Sequence, residues 1–114
     1  MPERAAAATL LLLLLASPGR PGEPAASDPS PPPARRAELV HLLRHDCGSC
    51  HGLTMKGGLG PPLLPESLAE KDRAALVATV LEGRPGTPMP PWKHELAEAE
   101  VRYLVDLLVE GRVP

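Results

Sequence analysis

The two cysteines of this 114-residue chain are separated by two residues and are followed at once by a histidine, in the segment Cys47-Gly48-Ser49-Cys50-His51. Four kinds of site use thiols at this spacing: a disulfide, a thioredoxin-type redox pair, a zinc site and covalent haem attachment. A disulfide would close a very small loop, no strand precedes the pair, and no second Cys/His pair completes a zinc site. The C-x-x-C-H pattern therefore predicts one haem c, bound to Cys47 and Cys50, with His51 as the proximal iron ligand.

The distal iron ligand is expected to be a methionine or a histidine. Met89 lies 38 residues after His51 and has a proline on each side. Because flanking prolines restrict the backbone, they would hold the sulfur in place, and we predict that Met89 is the ligand. Met55 follows His51 too closely to cross to the other face of the ring, and His94 is the alternative in the same loop region.

The segment Gly60-Pro61-Pro62-Leu63 follows His51 closely enough to return the chain to the proximal side. A histidine that binds a metal usually donates its other N–H to a carbonyl, and we predict that the carbonyl of Pro61 accepts it. Three further loop residues are either partners of a haem propionate or solvated side chains: Arg84, Trp92 and Lys93.

Apolar residues recur with helical spacing in three segments, at about 36–46, 66–82 and 97–110. No segment alternates as a strand would, so the predicted fold is all-α, with three to four helices around one covalent haem. The first and third helices are expected to cross. The haem is expected to lie between two loops rich in glycine and proline, Gly52–Pro65 and Gly83–Lys93.

Two details of these helices stay open at this point. Ser67 and Glu70 form a capping-box pattern for the second helix, and the alternative is that Asp72 starts a second short helix. His41 and His45 on the first helix are expected to face solvent.

The N-terminal third of the chain predicts export rather than a folded domain. Residues 5–16 form a short uncharged run, whereas a membrane-spanning helix needs about 20 apolar residues. Residues 1–26 are therefore predicted to be a signal peptide, with cleavage after Ala16 as an alternative. Residues 17–34 are predicted to be a disordered proline-rich linker, and residues 35–114 the cytochrome domain. The expected location is the periplasm, without a membrane span in the mature protein.

Composition narrows the possible partners. Only 2% of the residues are aromatic, which leaves a short domain with little core unless a cofactor adds apolar mass. The net charge of −2 and the absence of a basic stripe argue against nucleic-acid binding. We expect the protein to be a monomer that exchanges electrons with a redox protein partner.

The attachment motif, Gly60-Pro61-Pro62-Leu63 and Met89 resemble a class I monohaem cytochrome c. The segments Arg44–Leu63 and Arg84–Trp92 are similar to the small NirC-type cytochromes of denitrification gene clusters. That resemblance implies a single-electron carrier rather than an enzyme. It also implies that the partner is cytochrome cd1 nitrite reductase, as electron acceptor, or a protein of haem d1 maturation.

A haem-based ligand sensor or accessory protein with a dissociable distal ligand is the alternative function. The chain departs from the resemblance in two places. Ala97 stands where such proteins often have a serine cap, and Tyr103 is the one aromatic residue available between the terminal helices.

Overall fold

The computed structural model describes residues 30–114. The predicted signal peptide and the linker as far as residue 29 lie outside the described residues. The described part of the chain consists of helices and loops and contains no strand, which confirms the all-α prediction.

The first helical segment runs without a break through the cysteine motif. It comprises α1 (Pro33–Leu42), a π-helical turn (Leu43–Cys47) and α2 (Gly48–His51). Proline suits the first position of a helix because its ring fixes φ near the helical value and its missing N–H has no partner there. The helix therefore starts at Pro33, earlier than predicted, and the last two residues assigned to the linker are helical.

The predicted second helix is two helices, α3 (Pro65–Leu68) and α4 (Arg73–Glu82). A side-chain oxygen of Asp72 accepts a hydrogen bond from the Ala75 N–H at 3.0 Å and caps α4. The separate start at Asp72 is thus confirmed, whereas the Ser67 cap is wrong because Ser67 lies inside α3.

Helix α5 (Glu98–Val109) matches the third predicted helix to within one residue at each end. Its N-cap is Ala97, which has no side-chain acceptor, so only half of a capping box forms. The Glu100 carboxylate accepts the Ala97 N–H at 3.0 Å. The same carboxylate receives Nε–H of Arg35 at 2.6 Å, which ties α5 to α1.

The Arg35 guanidinium holds the pKa of Glu100 below its ordinary value. Since the ion pair favours the charged carboxylate, its contribution to stability is present at neutral pH and is lost as the pH falls through the lowered pKa. Nearby, the Arg36 guanidinium carbon lies 5.5 Å from the centre of the Tyr103 ring. The first and last helices therefore pack together, with Tyr103 at their contact.

The core is aliphatic and is centred on α5, which packs against α1, α3 and α4. Its buried members are leucines and valines with one methionine: Leu39, Leu43, Met55, Leu68, Val77, Leu96, Val101, Leu104, Val105 and Leu108. Within residues 30–114, no helix has both the length and the hydropathy that crossing a bilayer requires.

Leu39→Ala should destabilise the holoprotein by about 2–5 kcal/mol, because it leaves a cavity between α1 and α5. Leu39 is fully buried. Chemical denaturation followed by circular dichroism measures the loss. The control is Arg44→Ala, which truncates an exposed side chain of the same helical segment and should change stability little. Equal losses in the two variants would contradict this packing.

Candidate functional site

The cysteine motif lies at the C-terminal end of the first helical segment, where backbone carbonyls lose their helical partners. The carbonyl oxygens of Cys50 and His51 instead accept the N–H groups of Gly60 and Gly57, each at 2.8 Å. These two hydrogen bonds fold the following loop back onto the helix end. The loop is therefore fixed relative to both the cysteines and the histidine.

The same loop delivers a carbonyl to the imidazole of His51. The Nδ1 atom of His51 lies 2.7 Å from the carbonyl oxygen of Pro61. Because a carbonyl can only accept, Nδ1 must carry the proton in this hydrogen bond. The Nε2 atom then keeps its lone pair, which is the form of histidine that binds a metal.

Gly60 lies against the ring of His51. A Cβ atom built on Gly60 would fall 2.8 Å from both Cε1 and Nδ1 of His51, closer than real side chains approach. Any other residue at this position would push the ring away from Pro61. The sequence marked Gly60 only as part of the return segment, and its packing on the imidazole was missed because that contact depends on the folded loop.

Both cysteines are free thiols and are partly buried. Burial raises the pKa of the Cys47 thiol to about 11, and the neighbouring Asp46 carboxylate adds to the shift. Among residues 30–114, no group of three or more His, Cys, Asp and Glu side chains is arranged to hold a metal ion. The motif thus presents two free thiols beside an imidazole whose Nε2 is available.

Met89 lies in the loop between α4 and α5, and its side chain is partly buried. The far end of this loop is tied to α4, since the N–H groups of Trp92 and Lys93 donate to the carbonyls of Val80 and Leu81 at 3.0 and 3.2 Å. These hydrogen bonds satisfy carbonyls at the helix C-terminus, as happens at His51. The loop that carries Met89 is therefore anchored at the helix that precedes it.

Gly83 is packed against the backbone of Met89. Its φ is +68°, and a Cβ there would lie 2.7 Å from the Met89 carbonyl oxygen and 2.8 Å from backbone atoms of Pro90 and Pro91. The Arg84 N–H also donates to the Met89 carbonyl at 3.2 Å. The sequence suggested only that Gly83 ends a helix. Its second role was missed because nothing local in the sequence signals the returning prolines.

The other candidate side chains differ from Met89 in burial or in their contacts. Met55 is buried in the core, with 4% of its surface exposed. His94 is exposed, and His41 and His45 are exposed as predicted. Lys93 forms an ion pair with Glu82, with 2.8 Å between Nζ and the carboxylate oxygen.

The donor set fits haem c. Two free thiols three residues apart on one helical segment can bond the two vinyl groups of one porphyrin, and the Nε2 atom of His51 can bind its iron. The absence of a side chain at Gly60 leaves room for the imidazole in the orientation that the Pro61 carbonyl holds.

Comparison with known proteins defines the class. The family model described as "Cytochrome C oxidase, cbb3-type, subunit III" matches residues 34–108, more than half of the chain. The chain therefore belongs to this family of c-type cytochromes. It carries a covalently bound haem c, as the cysteine motif predicts, and it is an electron-transfer cytochrome.

Among the proteins to which this chain is similar are small cytochromes. Cytochrome c55X of Pseudomonas aeruginosa is 57% identical over 90 residues, which is 79% of this chain and 76% of the relative. The solved structure of the c-type cytochrome NirC is 58% identical with a TM-score of 0.72, and the match covers 73% of this chain and 98% of that one. The predicted resemblance to the NirC-type cytochromes and the small cytochrome fold are thus confirmed.

A second similarity involves a larger protein. Dihydro-heme d1 dehydrogenase of Pseudomonas aeruginosa is 41% identical over 70 residues, which is 61% of this chain but 14% of that protein. The structure of dihydro-heme d1 dehydrogenase NirN in complex with DHE gives a TM-score of 0.57 at 40% identity, covering 60% of this chain and 15% of that one. The similarity is therefore to a small part of that enzyme.

Gly83→Ala should destabilise the holoprotein more than Gly86→Ala. Both glycines have positive φ, at 68° and 78°, so both alanines incur a backbone penalty, which is about 1–2 kcal/mol in the left-handed region. The ψ of −172° places Gly83 in a region that essentially only glycine adopts, which adds to the cost there. Only the Gly83 variant also collides with the backbone of Met89, because nothing lies within 4 Å of a Cβ at Gly86. Urea denaturation of both holoproteins measures the difference, and equal losses would show that this contact adds nothing.

Proposed function

We propose that the chain is a periplasmic single-electron carrier whose haem c is attached through Cys47 and Cys50 and ligated by His51 and Met89. The observation that carries the proposal is the hydrogen bond between His51 Nδ1 and the Pro61 carbonyl, 2.7 Å long, which leaves Nε2 available to iron. The predicted signal peptide in residues 1–26 supports the location.

When bound, haem c supplies an Fe(III)/Fe(II) couple. His51 and Met89 would both hold the iron and would leave it no free position for a substrate, which favours a carrier over an enzyme. A thioether ligand stabilises Fe(II) and raises the reduction potential.

The protein residues hold these two ligands still. The Pro61 carbonyl is hydrogen-bonded to the imidazole and Gly60 packs against its ring, while Gly83 packs on the backbone of Met89. Ligands that keep their positions in both oxidation states lower the reorganisation that accompanies electron transfer. The chain's own contribution to carrier function is thus to anchor the loops that carry Pro61 and Met89 by hydrogen bonds to the preceding helices.

We place the carrier in haem d1 chemistry, on the basis of the NirC structure and the similarity to dihydro-heme d1 dehydrogenase. A dehydrogenation removes two electrons and two protons, so two molecules of a one-electron carrier would take up the electrons of each turnover. Donation of single electrons to cytochrome cd1 nitrite reductase is the other role that the NirC-type resemblance supports.

Met89→Ala should remove the sulfur-to-iron charge-transfer band of the oxidised holoprotein and lower its reduction potential, because the ligand that favours Fe(II) is lost. It should also allow carbon monoxide to bind. Absorption spectroscopy and redox titration measure these changes. His94→Ala and Met55→Leu are the controls and should keep the band. A Met89→Ala protein with an unaltered band would assign the distal ligand to another residue.

Two stopped-flow experiments test the partner. In one, the oxidised holoprotein is mixed with dihydro-heme d1 dehydrogenase and dihydro-haem d1, and haem c should be reduced. In the other, the reduced holoprotein is mixed with cytochrome cd1 nitrite reductase and nitrite, and haem c should be oxidised. A fast reaction in one arm identifies the role, and no reaction in either arm would contradict the placement in haem d1 chemistry.

A further inference from the structure

Two histidines outside the haem site lie one helical turn apart on the first helical segment. The ring centres of His41 and His45 are 4.2 Å apart, and the ring planes are inclined by 44°. Both side chains are exposed. Within residues 30–114, neither imidazole has a hydrogen bond or an ion pair. The pair thus offers ring nitrogens that the rest of the described chain does not use.

We propose that His41 and His45 together bind one divalent transition-metal ion. Histidines at positions i and i+4 share one helix face and can ligate a single ion, as the two histidines of the H-E-x-x-H zinc motif do. Imidazole nitrogen suits zinc, copper and nickel, and the general order of affinities places Cu²⁺ first. The proposal does not depend on the proposed function, because it uses neither the haem ligands nor the electron-transfer partner.

The surroundings of the pair define what kind of site it is. Glu38, one turn before His41, forms an ion pair with Arg35 at 2.7 Å and is therefore already engaged. Among the described residues, no third His, Cys, Asp or Glu side chain completes the pair. Water would fill the remaining coordination positions, so the ion would stay accessible to solvent. The site is a two-point chelate on one helical segment, with His41 in α1 and His45 in the π-helical turn, rather than an enclosed metal centre.

The affinity of such a chelate comes from the helix, because the helix holds the two imidazoles close to each other. Once one imidazole holds the ion, the second is already within reach, so its binding is an intramolecular step at high effective concentration. The helical segment continues from this pair into the cysteine motif, and covalent haem attachment holds its far end. Both ligands therefore stay in register in the holoprotein.

Titration calorimetry of the holoprotein with Zn²⁺ tests the proposal, because Zn²⁺ exchanges no electrons with haem. The wild type should bind one ion per chain. His41→Ala and His45→Ala should each weaken binding on the order of a hundredfold, since the chelate is lost. His94→Ala removes another exposed histidine and should leave the affinity unchanged. Unchanged affinity in both pair variants, or half an ion per chain from a bridge between two molecules, would overturn the proposal.

A thermal measurement distinguishes loss of the site from loss of folding. An ion that binds only the folded helix raises the unfolding midpoint. Zn²⁺ should raise it in the wild type and in His94→Ala but not in His41→Ala or His45→Ala. The Soret band should stay unchanged in all four proteins, which would show that the ion leaves the haem ligands in place. A shift of that band on adding Zn²⁺ would assign the ion to the haem site and contradict the chelate.

Discussion

The hydrogen bond between the His51 imidazole and the Pro61 carbonyl is the contact on which the site depends. It requires the helix to end at His51 and the chain to return to the same ring within ten residues. The N–H groups of Gly57 and Gly60 make that return possible by donating to carbonyls at the helix end. Gly60 also has to lack a side chain, because the ring occupies the space of its Cβ. This hydrogen bond therefore requires a particular helix end, a particular loop path and a glycine at position 60.

In two places, a loop donates N–H groups to the last carbonyls of the helix that precedes it. Helices leave their last carbonyls unsatisfied, and these groups need partners wherever they are shielded from water. After α2 the donors come from the loop that carries Pro61, and after α4 they come from the loop that carries Met89. Each predicted iron ligand is thus held by a loop that is hydrogen-bonded to the end of the preceding helix. An aliphatic core around α5 then fixes the helices relative to one another, so a chain with few aromatic residues can still position both loops.

The sequence predicted those features that depend on nearest neighbours along the chain. The spacing of apolar residues located α5, and Asp72 marked the start of α4, because an N-cap needs only a side chain three residues before its N–H partner. The start at Pro33 was missed although proline at the first position of a helix is a local signal, because that proline was assigned to the linker. No pattern in the sequence marked the π-helical turn. The packing of Gly83 on Met89 could not be predicted because it joins segments whose distance apart is known only once the loop has folded.

Histidine takes different chemical roles in this chain according to what each ring touches. At His51 the Pro61 carbonyl accepts one N–H and thereby selects the tautomer, which commits the other nitrogen to a metal. At His41 and His45 no described neighbour selects a tautomer, so each ring can turn either nitrogen towards an ion held between the two. The first arrangement suits a ligand that must not move during electron transfer. The second suits an exchangeable ion, because exposed rings and coordinated water let the ion enter and leave without disturbing the fold.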